Sequence, residues 1–283
     1  MNVIKDILRG IAIGIANIIP GVSGGTMMVS MGIYDKIISC ISHFFNDIKG
    51  NIKFLIPIVL GMAIAVVGGS FTIEYLFKAF PLPTTIFFVG LILGGLPAMI
   101  KKVKGEKPNI LHIVFFLIFF ALIIGLALLS GTEGSQASTA ISFVNVIIFF
   151  FVGLIAAATM VIPGVSGSMV LLLMGYYNPI LTEINNFIRS LINLDVSGLL
   201  HGFGVLCPFG LGVLFGIVAV AKLIEYIFNK FPRYAYYSII GLIAASPFAM
   251  ILLGSFPAVT VLSVAASVIC FAAGFIITVK LGE

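Results

Sequence analysis

The pentapeptide Pro-Gly-Val-Ser-Gly stands at residues 20–24 and again at 163–167, each copy closing a long apolar run. Proline ends a helix and removes a backbone donor, and glycine lets the chain turn. In a membrane such a break is tolerated only where protein or a wet cavity covers it. Both copies are followed at equal distance by Met-Gly and a tyrosine, Met31-Gly32-Ile33-Tyr34 and Met174-Gly175-Tyr176-Tyr177. One break is often no more than a kink. Two at matched positions point to a ligand site where two halves meet.

The chain has 283 residues, 61% hydrophobic and 9% charged, against about 25% charged in ordinary soluble domains. Apolar runs at 54–73, 84–100, 110–129, 143–162, 203–221, 235–254 and 257–279 each approach the ~20 residues that cross a bilayer. These define an all-α polytopic membrane protein with no separate soluble domain. The net charge of +5 is spread over short loops, so it speaks to topology rather than to nucleic acid. Cys40, Cys207 and Cys270 sit in apolar sequence as packing residues, and His43, His112 and His201 lack metal-ligand spacing. No metal or cofactor is expected. Lys5 and Arg9 ahead of an apolar run resemble a signal peptide, but the repeat makes residues 10–34 part of the fold.

The duplication extends beyond the pentapeptide. Tyr34 and Phe44 match Tyr177 and Phe187 at an offset of 143 residues. Ile73-Glu74-Tyr75-Leu76-Phe77 matches Ile224-Glu225-Tyr226-Ile227-Phe228 at an offset of 151. A single integral membrane domain, 1–283, therefore divides into repeat one, 1–130, and repeat two, 143–283. If each Pro-Gly segment enters and returns, three full spans remain per half, and all but Lys78 and Arg189 of the 15 basic residues fall on one side. Full crossing scatters them, so the positive-inside rule favours re-entrant hairpins. Three spans is an odd number. The expected architecture is thus two inverted repeats, each one re-entrant helical hairpin plus three transmembrane helices, with both termini cytoplasmic. The 11-residue arms Arg9–Pro20 and Gly25–Lys36 reach ~16 Å, half of a ~30 Å core, which brings the tips together at the midplane.

At the tips, Pro20 and Gly21, or Pro163 and Gly164, turn the chain. Ser23 or Ser166 suits the cap of the returning helix, and amides of Gly24, Gly25 and Thr26, or of Gly167 and Ser168, would face the gap. Opposed helix starts favour an anion by only ~0.3–2 kcal/mol each, so a basic side chain should help, and Arg9 is the first candidate. Glu74 and Glu225 occupy equivalent positions near span ends. Coupling to a proton is one role for them, and local pairing with Lys78 and Lys222 is the other. Gly90-x-x-x-Gly94 and Gly212-x-x-x-Gly216 suit close helix packing. Segments 35–50 and 178–194 have the spacing of interfacial helices.

Arg9-Gly10, Pro20-Gly21-Val22-Ser23-Gly24-Gly25-Thr26, Gly32-Ile33-Tyr34 and Pro163-Gly164-Val165-Ser166-Gly167-Ser168 resemble the bacterial polyprenyl-phosphate transporter family. The resemblance covers essentially the whole chain. It implies a flippase-type transporter in the bacterial cytoplasmic membrane that returns undecaprenyl phosphate from the outer to the inner leaflet for lipid-carrier recycling. The partners implied are that lipid and the membrane, with no nucleic acid, and a homo-oligomer is left open. The residues alone leave two rivals: a transporter or channel for small inorganic anions, and a lipid phosphatase or headgroup transferase. An enzyme needs an acid–base or nucleophile constellation, and none is legible here.

Overall fold

A computed structural model describes residues 3–18, 23–65, 68, 70–105, 107–129, 137–256 and 259–282. Among the described residues the chain forms 13 helices and no strand. The first half runs α1 (Val3–Ile18), α2 (Gly24–Ser30), α3 (Tyr34–Ser42), α4 (Ile48–Ile64), α5 (Ser70–Ala79), α6 (Pro81–Val103) and α7 (Ile110–Leu129). The second runs α8 (Phe143–Val161), α9 (Gly167–Leu173), α10 (Tyr177–Asn193), α11 (Val196–Lys230), α12 (Pro232–Leu253) and α13 (Val261–Gly282). The segment 35–50 holds most of α3, a turn and the start of α4, and 178–194 falls largely in α10.

Six described helices, α6, α7, α8, α11, α12 and α13, are long and apolar enough to cross a membrane. The number equals the expected number of spans, but the membership differs. α8, expected as a hairpin arm, is 19 residues long, and the expected span 54–73 is divided between α4 and α5. Between them Ala65 and Gly68 are π-helical. Gly68-Gly69-Ser70 stands where the second half has Ala219-Val220-Ala221, and glycine weakens an α-helix by about 1 kcal/mol relative to alanine; α11 runs as one α-helix of 35 residues.

The helix pairs repeat at the level of single contacts. A Cβ on Gly10 would strike the Ile58 carbonyl and one on Gly61 the Ile7 carbonyl, which seats α1 against α4. A Cβ on Gly153 would strike the Phe209 carbonyl and one on Gly212 the Phe150 carbonyl, which seats α8 against α11 in the same way. Between the halves the partners cross over: α6 packs on α13, α7 on α12, and α6 on α12. Gly90 and Gly94 face the Phe271 and Phe275 carbonyls, and Gly241 faces that of Phe116. The close approach read from the small-residue spacings is the packing observed. One buried cluster draws on both halves, joining Ile13, Met27 and Ile92 to Ala221, Ile240 and Ile243.

The halves differ in burial around their short helices. Six of the seven residues of α2 are buried, and none of α9. α3 lies on α11 of the other half, whereas α10 lies on α11 of its own.

Candidate functional site

The first break lies between α1 and α2. Pro20 and Gly21 fall outside the described residues. Ser23 is the N-cap of α2, its extended backbone placing Oγ to accept from the Gly25 amide at 3.2 Å. The Gly24 amide donates to Asn17 Oδ1 at 3.0 Å. The amides expected to face a ligand are therefore already bonded at Gly24 and Gly25. The reason is local: Asn17 in the last turn of α1 and the capping serine are both within reach.

At the second break Gly164 takes a left-handed φ of +81°, a conformation that suits glycine. Ser166 is the N-cap of α9 by position, yet its hydroxyl makes no cap bond. It pairs instead with the Ser168 hydroxyl at 3.0 Å. The two breaks touch. The Gly164 amide donates to Thr26 Oγ1 at 2.7 Å, and Thr26 is fully buried. A Cβ on Gly25 would lie 3.1 Å from Pro163 Cα. The Tyr34 hydroxyl donates to the Val161 carbonyl, in the last turn of α8, at 3.1 Å. Gly25, Thr26, Pro163 and Gly164 thus join the breaks to each other.

Beside this junction is a cavity of about 430 Å³. Its polar lining includes Asn17, Ser23, Ser166, Gly167 and Ser168. Its apolar lining includes Leu171, Ile180, Leu181, Ile184, Phe209 and Val213. Asn17 uses its carbonyl oxygen on Gly24, which leaves the NH2 as donor. Ser23 spends an acceptor lone pair on Gly25 and keeps its O–H. No lysine or arginine lines this cavity.

The expected basic helper is elsewhere. Arg9 donates from Nη1 to Asp6 Oδ1 at 3.1 Å, and from Nε and Nη2 to the Leu281 carbonyl at 3.1 and 2.8 Å. It ties α1 to the end of α13. Glu225 lies 3.3 Å from His43 Nδ1 rather than on Lys222. The Glu74 side chain lies outside the described residues. Lys36 sits 3.9 Å over the Phe54 ring. Arg189 lines a separate shallow polar pocket with Glu183 and His201, which are 3.7 Å apart. Among the described residues no group of His, Cys, Asp and Glu could hold a metal.

Asn17 is the site residue that motif reasoning missed. It is the one polar side chain in the run 10–19, which was the available signal, but its repeat counterpart is Met160, so the duplication concealed it.

Fold and cavity define a polytopic helical membrane protein with one amphipathic cavity at the meeting point of two matched helix breaks. A family model described as undecaprenyl phosphate translocase-like matches residues 13–268, and the chain belongs to that family. It is 31% identical over 284 residues to the polyprenyl-phosphate transporter of Staphylococcus aureus, covering 98% of this chain and 95% of that one. It is 30% identical over 218 residues to the polyprenyl-phosphate transporter of Vibrio cholerae, covering 71% and 67%. Both relatives are named as transporters, not as enzymes. No solved structure matches the chain.

Proposed function

We propose that this chain carries undecaprenyl phosphate from the outer to the inner leaflet of the bacterial cytoplasmic membrane, recycling the lipid carrier, with the phosphate held by the polar lining of the tip cavity. The observation that carries this is the cavity's mixed lining, hydroxyls and an amide together with a larger number of apolar side chains. A halide or free phosphate has no use for those apolar side chains; a prenyl phosphate has. At about 430 Å³ the cavity is of small-ligand size, so it takes the headgroup and the first isoprene units while the remaining tail stays in lipid.

In this reading Asn17 Nδ2, the hydroxyls of Ser23, Ser166 and Ser168 and the backbone of Gly167 surround the phosphate. Gly25, Thr26, Pro163 and Gly164 hold the breaks together. Arg9 serves as an anchor rather than a ligand, since its guanidinium is engaged by Asp6 and Leu281. A site with no fixed cation binds a phosphate less tightly, which suits a carrier that must also release it.

The duplicated contacts of α1 with α4 and of α8 with α11 support two repeats. With α1–α2 and α8–α9 taken as re-entrant hairpins of inverted repeats, all but Lys78 and Arg189 of the 15 basic residues would lie on one face, which favours termini on the cytoplasmic side. The cavity is bounded by α9 and α10, the element that bears Arg189, hence by the hairpin entering from outside. Loading from the outer leaflet follows, and rocking of one repeat against the other releases the lipid inward.

The test is leaflet exchange of undecaprenyl phosphate in proteoliposomes, with chloride flux measured in parallel. A hydrogen bond to a charged group is worth ~1.5–3 kcal/mol. Ser23→Ala with Ser166→Ala should therefore slow exchange at least tenfold at unchanged folding. Wild-type exchange in the double variant, or chloride flux without lipid exchange, would overturn the assignment.

A further inference from the structure

We propose that Tyr34 and Tyr177 are alternating gate residues, each closing one side of the junction between the breaks by donating its phenol to the last carbonyl of the other half's first helix. This rests on the transport reading above. Tyr34 is 2% exposed and bonds the Val161 carbonyl. Val161 ends α8, so that carbonyl has no partner within its own helix, and at membrane depth an unpaired carbonyl is costly. Exchanging the halves by the offset of 143 turns Tyr34 into Tyr177 and Val161 into Ile18, the last residue of α1. The same phenol, and a carbonyl at the same place at the end of the other half's first helix, therefore recur.

Their states are opposite. Tyr177 is 38% exposed and lines the cavity together with Asn17, the neighbour of Ile18. Leu181 on the same wall is 46% exposed, while its counterpart Ile38 is 3% exposed. On one side the tyrosine is bonded and borders only smaller cavities of about 250 and 200 Å³, and on the other the tyrosine lies on the wall of the tip cavity. Closing the Tyr177 side draws α10 towards the end of α1 and brings the Tyr177 hydroxyl onto the Ile18 carbonyl. Opening the Tyr34 side parts Tyr34 from Val161.

The Tyr34 side carries extra contacts. The Tyr236 hydroxyl donates to Asp35 Oδ2 at 3.2 Å, and Lys102 Nζ is 3.6 Å from the same oxygen. The repeat counterparts of Asp35, Lys102 and Tyr236 are Asn178, Leu253 and Thr85, which form no such ion pair. The bias this creates favours the state observed.

The experiment uses the full-length protein in proteoliposomes, with its native cysteines replaced by alanine and one reporter, Leu181→Cys or Ile38→Cys. Maleimide labelling reads each side without any lipid substrate. One net hydrogen bond corresponds to roughly a two- to ten-fold change in a population ratio. Tyr34→Phe should lower labelling at position 181 and raise it at 38 by that factor; Tyr177→Phe should do the reverse. A merely structural tyrosine produces no opposed shifts. Shifts of the same sign, or none, overturn the gate. If Tyr34→Phe fails to fold, Tyr177→Phe decides alone, because its side chain is exposed: unchanged labelling at both positions overturns the proposal. The tip-serine exchange assay is unaffected by that outcome, so the gate can fail while the headgroup site stands.

Discussion

Thr26 shows how much can rest on one hydroxyl. It is buried and accepts the Gly164 amide, so its removal leaves a buried N–H without a partner. That costs ~1–3 kcal/mol. Thr26→Val, nearly equal in volume, should lower the melting temperature in detergent and slow lipid exchange, whereas Thr26→Ser should restore both. Asn17 works on the ligand side of the same junction. Asn17→Leu frees the Gly24 amide and removes a headgroup donor, and we expect at least a tenfold loss of exchange with a smaller loss of stability. Sequence pattern pointed to Ser23, Ser166 and the glycines because they recur. It could not separate residues that face the cavity from those that join the breaks, since both sets lie within the same few positions. That division depends on which way each turn directs its side chains.

At the scale of helices, the glycines sort by what lies above them. Gly10 and Gly153 abut the carbonyls of Ile58 and Phe209, whereas Gly125 and Gly210 have nothing within 4 Å of an added Cβ. Overpacking costs ~1–3 kcal/mol, while alanine in an open helical position contributes up to ~1 kcal/mol. Gly10→Val and Gly153→Val should therefore unfold at lower temperature, and Gly125→Ala and Gly210→Ala should unfold at the wild-type temperature or slightly above it. A scan of thermal stability across these four variants checks the assignment. The division of α4 from α5 was legible only by comparing halves. Apolar content in 54–73 reads as one span, and Gly68-Gly69-Ser70 against Ala219-Val220-Ala221 is the local difference between the halves, beside the π-helical Ala65 and Gly68.

For the molecule as a whole, the proposed inverted arrangement makes a directional prediction. A cysteine introduced by Leu194→Cys, at the exposed turn between α10 and α11, should react with an impermeant reagent from outside intact cells. One introduced by Lys104→Cys, between α6 and α7, should react only after permeabilisation. Reaction of both from the same side would exclude the proposed topology while leaving the helix packing as described.

Taken without its fold, this chain already determines its solvent and its duplication. Apolar runs of bilayer length leave the backbone no option but helices, and the repeated Pro-Gly-Val-Ser-Gly with its trailing tyrosine marks the repeat unit. Both properties are periodic along the chain, so local pattern suffices to read them. Contacts between residues more than a hundred positions apart were decided only by tertiary structure: Thr26 with Gly164, Tyr34 with Val161, and Arg9 with Leu281. So was the inequality of the two halves, with α2 buried and α9 not. Long-range pairs such as Asp35 with Lys102 have no counterpart in the other half, and their partners meet only once the helices have packed.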